Sequence, residues 1–166
     1  MLQPLQIVTL MLVSIAMTCT LAHALELPGK LRLSKESYAE VQLIYYPGFT
    51  IGGGFAEIIG LLASFGLLFV TPDDSSAFLL TLVAFIALLL MHAVFWVVTQ
   101  PVNKFWLRDQ QLSKAGSTFF GTGKSGSDAR TADWKSMRDR WEASHVVRAV
   151  LSFAAMIVLA CSIAVT

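Results

Sequence analysis

Apolar residues fill four unbroken stretches of the chain. Ile7–Leu25 carries His23 as its only acid–base group besides a thiol, Phe49–Val70 carries Glu57, and Ala77–Val98 carries His92. Val146–Val165 has Arg148 near its start. Each stretch is 19 to 22 residues long, and together they make up half the sequence. A helix needs about 20 residues to cross the hydrocarbon core of a bilayer. The pattern therefore predicts four transmembrane helices in one domain: an all-α, integral membrane four-helix bundle.

The connections differ in kind. Pro72-Asp73-Asp74-Ser75 is a tight turn, which makes the second and third helices antiparallel neighbours. The first connection mixes charges with Tyr38, Val41, Leu43, Ile44, Tyr45 and Tyr46. It is expected to lie on the membrane surface as a short helix or re-entrant piece, ended by Pro47-Gly48. The third, residues 99–145, is expected to hold a flexible Gly/Ser/Thr-rich loop over 113–131. An amphipathic helix then begins near Asp133 and runs into the last span. In the second span Gly52, Ala56, Gly60 and Ser64 recur every four residues. This spacing marks a close-packing face, with a hinge or ligand-hugging turn at Gly52-Gly53-Gly54 as the alternative.

Composition agrees with this picture. Of 166 residues, 55% are apolar and 14% charged, which excludes a disordered chain. Twelve Lys and Arg against 11 Asp and Glu leave a net charge of +1, too balanced for a nucleic-acid binder. Those charges are nonetheless segregated. With four spans, Lys30, Arg32, Lys35, the eight basic residues of the third connection and Arg148 all fall on one face. The other face holds Asp73 and Asp74 and no basic side chain. The positive-inside rule puts the basic face in the cytoplasm and both termini outside, with a bacterial inner membrane as the expected location. Ala22-His23-Ala24 has the form of a signal-peptidase site, but no Lys or Arg precedes the apolar run, so a retained helix is expected.

Two other motifs carry no chemistry. Gly123-Lys124-Ser125 lacks the first glycine and the preceding strand of a phosphate-binding loop. Cys19 and Cys161 fall about 18 Å and 6 Å below the outer face at about 1.5 Å rise per residue. That offset is beyond the roughly 7 Å that a disulfide tolerates, so two reduced, packed thiols are expected.

Ionisable residues inside a membrane are costly and mark candidate sites. Here they share one half of it. His23 sits near the inner end of the first helix with Glu26 one turn on, and Glu57 lies about two turns into the second. His92 precedes Gln100 and Asn103 on the third, and His145 and Arg148 open the fourth. Trp134, Arg138, Trp141, His145 and Arg148 recur at helical spacing on one face, directed at the bundle or at the headgroups. Tryptophan alone suits an interfacial anchor. Three readings are open. The set is a pocket with a histidine acid or base and with Asn103 and Arg148 for an oxyanion. Alternatively it binds haem or a metal ion through His23, His92, His145 and Glu57, although no pair of them has same-helix ligand spacing. Or it is a set of register-fixing ion pairs, Glu26 with Lys30 and Glu57 with Arg148, in a non-catalytic accessory or structural subunit of a membrane complex or homo-oligomer.

Several segments carry a family resemblance: the run Ala22-His23-Ala24-Leu25-Glu26-Leu27-Pro28-Gly29-Lys30, Tyr45-Tyr46-Pro47-Gly48-Phe49, and His92-Ala93-Val94-Phe95-Trp96 leading to Pro101-Val102-Asn103. Trp134, Arg138, Arg140-Trp141-Glu142, His145 and Arg148 complete it. Together, over nearly the whole chain, they resemble the anthrone oxygenase-like family of small four-helix integral membrane proteins. Some fungal members oxidise polyketide anthrones to anthraquinones with molecular oxygen and no evident cofactor. The resemblance implies such chemistry on a small apolar aromatic molecule and marks His23, Glu26, His92, Asn103, Trp141, His145 and Arg148. Glu57 is added on the physical argument. The expected roles are His92 or His145 as base and Arg148 or Asn103 for the anion. His23, Glu26, Glu57 and Trp141 would contact the substrate.

Overall fold

The structure, a computed structural model, describes residues 2–107, 118 and 133–166. Its helices are α1 (Leu2–Lys30), α2 (Lys35–Ile44), α3 (Phe49–Val70), α4 (Ser76–Trp106) and α5 (Trp134–Ala164), with no strand among the described residues. All but α2 are long and apolar enough to cross a membrane, so the chain is an integral membrane protein by length and composition. Phe49–Val70 coincides with the expected span. Ile7–Leu25 and Ala77–Val98 sit inside longer helices, and Val146–Val165 fills the second half of another, overrunning its end by one residue. Polarity marks where lipid ends, whereas the helix continues until a cap or breaker stops it. For α5 that cap is Asp133, whose side chain accepts from the Lys135 N–H. At about 1.5 Å per residue, the 31 residues of α5 reach about 46 Å, well past the roughly 30 Å of hydrocarbon. The surplus turns of α1, α4 and α5 gather with α2 at one end as a collar.

Ser34 caps α2, accepting from the Ser37 N–H at 3.3 Å. This helix buries Tyr38 and Gln42 and ends before a cis Tyr46–Pro47 bond. At the opposite end Ser75 caps α4 through the Phe78 N–H, which makes the turn 71–75 the expected tight link. Gln6 Nε2 donates to Thr166 Oγ1 across 3.1 Å, so both termini share that end. Of the third connection, residues 100–106 continue α4 and 134–145 open α5. The expected loop over 113–131, with Gly123-Lys124-Ser125, lies outside the described residues apart from 118.

The close-packing face of α3 is real but displaced by one residue at its start. Gly60 is buried where a Cβ would lie 3.4 Å from Leu12 Cβ of α1. Ala56 and Ser64 share that face, whereas Gly52 is exposed and Gly53 takes its place, a Cβ there meeting Cys19 Sγ at 3.2 Å. On a helix of about 3.6 residues per turn a strict four-residue step drifts off the contact face, and a three-residue step from Ala56 brings Gly53 back to it; Phe49–Gly53 forms a π turn. Three hydroxyl pairs fasten helices to α5: Thr20–Ser152 at 2.9 Å, Thr81–Ser162 at 2.8 Å and Thr99–Ser144 at 2.9 Å. In lipid such bonds join helices that no hydrophobic effect drives together. The outward faces suit lipid, with Met11, Phe55, Leu62, Phe69, Val97 and Val150 all exposed. Both cysteines are free, but Cys161 is exposed rather than packed, since it lies on this outward face of α5.

Candidate active site

At the collar end the four long helices enclose a cavity of about 110 Å³. An engineered apolar cavity of about 150 Å³ takes up benzene, so the enclosed space is of the order of one aromatic ring, and a larger ring system would extend through the cavity's open side. His23, Glu57, His92, Asn103, Trp141, His145 and Arg148 all line it. Glu26 does not; its side chain is partly exposed and reaches the wall through Tyr45, whose hydroxyl donates to it at 2.6 Å. The face of α5 that bears Trp141, His145 and Arg148 therefore points at the bundle, and all three side chains are buried. Trp141 is no interfacial anchor: its indole N–H donates to Asn103 Oδ1 at 2.8 Å.

One line of charge crosses the cavity wall. Arg148 donates to Glu57 Oε2 at 2.5 Å, and Glu57 Oε1 lies 3.0 Å from His92 Nδ1. A carboxylate accepts only, so Nδ1 carries the ring proton and His92 Nε2 is an acceptor. Nε2 receives the Trp96 indole N–H at 2.9 Å. His92 is the open member of the set, its side chain 24% exposed against 6% for Glu57. Arg148 also stacks its guanidinium over Phe95, 5.1 Å from the ring centre.

His145 is held differently. Its Nδ1 meets the Trp141 carbonyl at 3.0 Å, which again leaves Nε2 as the acceptor, here facing Arg148 Nη1 at 3.4 Å. His23 packs edge-on to His145 with ring centres 4.3 Å apart, and to Tyr45 at the same distance. The three histidines thus share one cavity but not one focus. Among the described residues no group of three His, Cys, Asp or Glu is placed to hold a metal ion. Glu57 faces His92 and Arg148, and His145 faces Arg148 and a carbonyl.

Behind the aromatic wall lies a second polar cluster, of which the sequence reading gave only the Glu26–Lys30 pair. Lys30 is buried between Glu26 (3.0 Å) and Glu142 (3.6 Å), 3.5 Å from His23 Nδ1 and over the rings of Tyr45 and Trp141. Tyr38 donates to Glu142 Oε1 at 2.8 Å. Burial, reinforced by the Glu142 carboxylate, pushes the Tyr38 phenol well above the ordinary tyrosine range. Burial and the hydrogen bond to Glu26 do the same for Tyr45. Both phenols therefore stay neutral and donate. The signal for this cluster was Glu142 between Trp141 and His145, but its position just outside the apolar run reads as a solvated charge.

Nothing among curated proteins or solved structures matches the chain. A family model described as anthrone oxygenase does match, over residues 42–158. The match takes in Glu57, His92, Asn103, Trp141, His145 and Arg148 and leaves out α1, with His23 and Glu26. Since it spans well over half the sequence, the chain belongs to the anthrone oxygenase family.

Proposed function

We propose that the cavity oxidises a small apolar aromatic molecule of the anthrone type, using molecular oxygen, with His92 as the base. The observation that carries this reading is the Arg148–Glu57–His92 line, which fixes the imidazole tautomer and leaves Nε2, now bonded to the Trp96 indole, as the acceptor on a residue that lines the cavity. In the reaction, His92 Nε2 takes one proton from a ring methylene beside the aryl ketone system, displacing the Trp96 indole. The resulting carbanion is delocalised onto the ketone oxygen as an enolate, which Arg148 and Asn103 stabilise. The enolate reduces O2 and forms a C–O bond, and His92 returns its proton to give a hydroperoxide. Loss of the second methylene proton and cleavage of the O–O bond then yield the ketone and one water.

The site suits a substrate arriving from the bilayer. Of its lining residues, Ile58 of α3 and Trp96 of α4 are 45% and 46% exposed, so the cavity reaches the surface between these two spans. We place the collar in the cytoplasm and both termini outside, because the first and third connections with Arg148 hold every Lys and Arg.

The test is anthraquinone formation by the purified chain in nanodiscs. A positioned base contributes roughly 10²- to 10⁴-fold, so His92→Ala should lose at least a hundredfold with its fold intact. A variant with the wild-type rate refutes the assignment.

A further inference from the structure

Hydrogen bonding around the cavity is unevenly completed. Among the described residues, Gln42 Nε2, Trp106 Nε1 and Arg148 Nε are buried and have no hydrogen-bond partner. All three side chains line the cavity, from α2, the end of α4, and α5. Gln42 is 5% exposed and Arg148 7%. Several nitrogens nearby are committed: Arg148 Nη1 and Nη2 to His145 and Glu57, Trp141 Nε1 to Asn103 and Trp96 Nε1 to His92. Buried polar groups are nearly always partnered, so three such donors on one wall need an account.

Their chemistry is uniform. Each is an N–H, and the one other unpartnered buried side-chain nitrogen or oxygen among the described residues, Glu142 Oε2, belongs to a side chain off the cavity wall. A ligand that completes this wall offers acceptors and needs no donors. It also offers them at separate places, because the three donors come from three helices. The guanidinium Nε suits an oxygen that carries negative charge, and the amide and indole suit neutral carbonyl or phenol oxygens.

We propose that Gln42 and Trp106, with Arg148 Nε, are the specificity-determining contacts of the site: they select an aromatic ligand that carries carbonyl or phenolate oxygens over the bare ring system. This rests on the cavity being an aromatic-ligand site. It adds two residues that the oxidation chemistry does not use, and it orients the ligand with one oxygen toward α2 and the end of α4 and another toward Arg148.

Anthraquinone and anthracene separate the two layers of the argument, since they share one tricyclic skeleton and only the first has ketone oxygens. Equilibrium binding to the full chain in nanodiscs, corrected against empty nanodiscs, should favour anthraquinone by about tenfold or more. Gln42→Leu and Trp106→Phe should each weaken anthraquinone about tenfold and leave anthracene unchanged. Neither substitution removes a hydrogen bond made by these nitrogens, although Trp106→Phe also trims packing against Tyr38, so affinities are compared well below each variant's unfolding transition. Equal affinity of the two probes, or variants that bind anthraquinone as wild type does, overturns the donor assignment while the aromatic site stands. Failure of both probes to bind overturns the site and the donor assignment together.

Discussion

At the end of the bundle that holds both termini, the buried polar side chains are hydroxyls and one amide: Gln6, Thr9, Ser64, Thr71, Thr81 and Ser162. At the collar end they include Lys30, Glu57, Glu142, His145 and Arg148. The same four helices run through both ends, so neither propensity nor length accounts for the difference. Hydroxyls return their hydrogen bonds to the helix itself, as Thr9, Thr71 and Thr81 do to the carbonyl four residues back. They cost little in lipid and ask nothing of a neighbour. Buried charges, by contrast, demand partners from other helices, and here the partners come from α1, α3, α4 and α5 at once. One end is built to hold helices together. The other carries a cost that packing alone does not require, which is the physical reason to look for chemistry there.

Substitutions at the two ends should separate accordingly. The largest effect is expected from Arg148→Met. It leaves the Glu57 carboxylate buried with His92 alone, and removing one partner of a buried pair costs about 3–5 kcal/mol. Denaturant unfolding in detergent checks this, and the double variant Glu57→Gln/Arg148→Met should recover a good part of the loss. Recovery of none would mean that the pair does not act as a unit. Lys30→Met should cost less, about 1–3 kcal/mol, because Glu26 can turn to water although Glu142 cannot. Gly60→Leu should cost a similar 1–3 kcal/mol by forcing α3 off α1 near Leu12 and Val13. It should do so without touching the cavity, so ligand binding measured below the unfolding transition should persist. The smallest effect belongs to the terminal end. Thr81→Val breaks one hydroxyl pair with Ser162, and such bonds average about 0.6 kcal/mol in a membrane. Its oxidation rate should equal that of wild type, and a fall of tenfold would dissolve the distinction between the ends.

The lipid-solvated half of the fold was legible from apolar runs alone, because length and hydropathy decide what can cross a bilayer. Both ion pairs singled out in the sequence, Glu26 with Lys30 and Glu57 with Arg148, are formed, the second because a charge inside an apolar span has few places to go. Helix ends were less legible: nothing in an apolar count distinguishes Glu26–Lys30 or Trp134–Ser144 as helix rather than loop. The π turn at Phe49–Gly53 was invisible for the same reason, and the close contact falls on Gly53 rather than Gly52 because a four-residue stripe drifts off a face of about 3.6 residues per turn. Tyr38, Gln42, Trp106 and Glu142 were not read as part of the site because each stands beyond a span, where a polar side chain ordinarily meets water. Only the fold shows that the surplus turns and α2 close over them.

The central claim is that Glu57 and Arg148 orient His92 as the base of an oxygen-dependent oxidation. Oxygen uptake on adding anthrone to the chain in nanodiscs, corrected for protein-free nanodiscs, tests it most directly when wild type is set beside Glu57→Gln. The account predicts one O2 consumed per anthraquinone formed in wild type. In Glu57→Gln, folded and still binding anthraquinone, it predicts a rate lowered at least tenfold toward that of His92→Ala. Wild-type uptake in Glu57→Gln, or no uptake above the protein-free background in wild type, contradicts it.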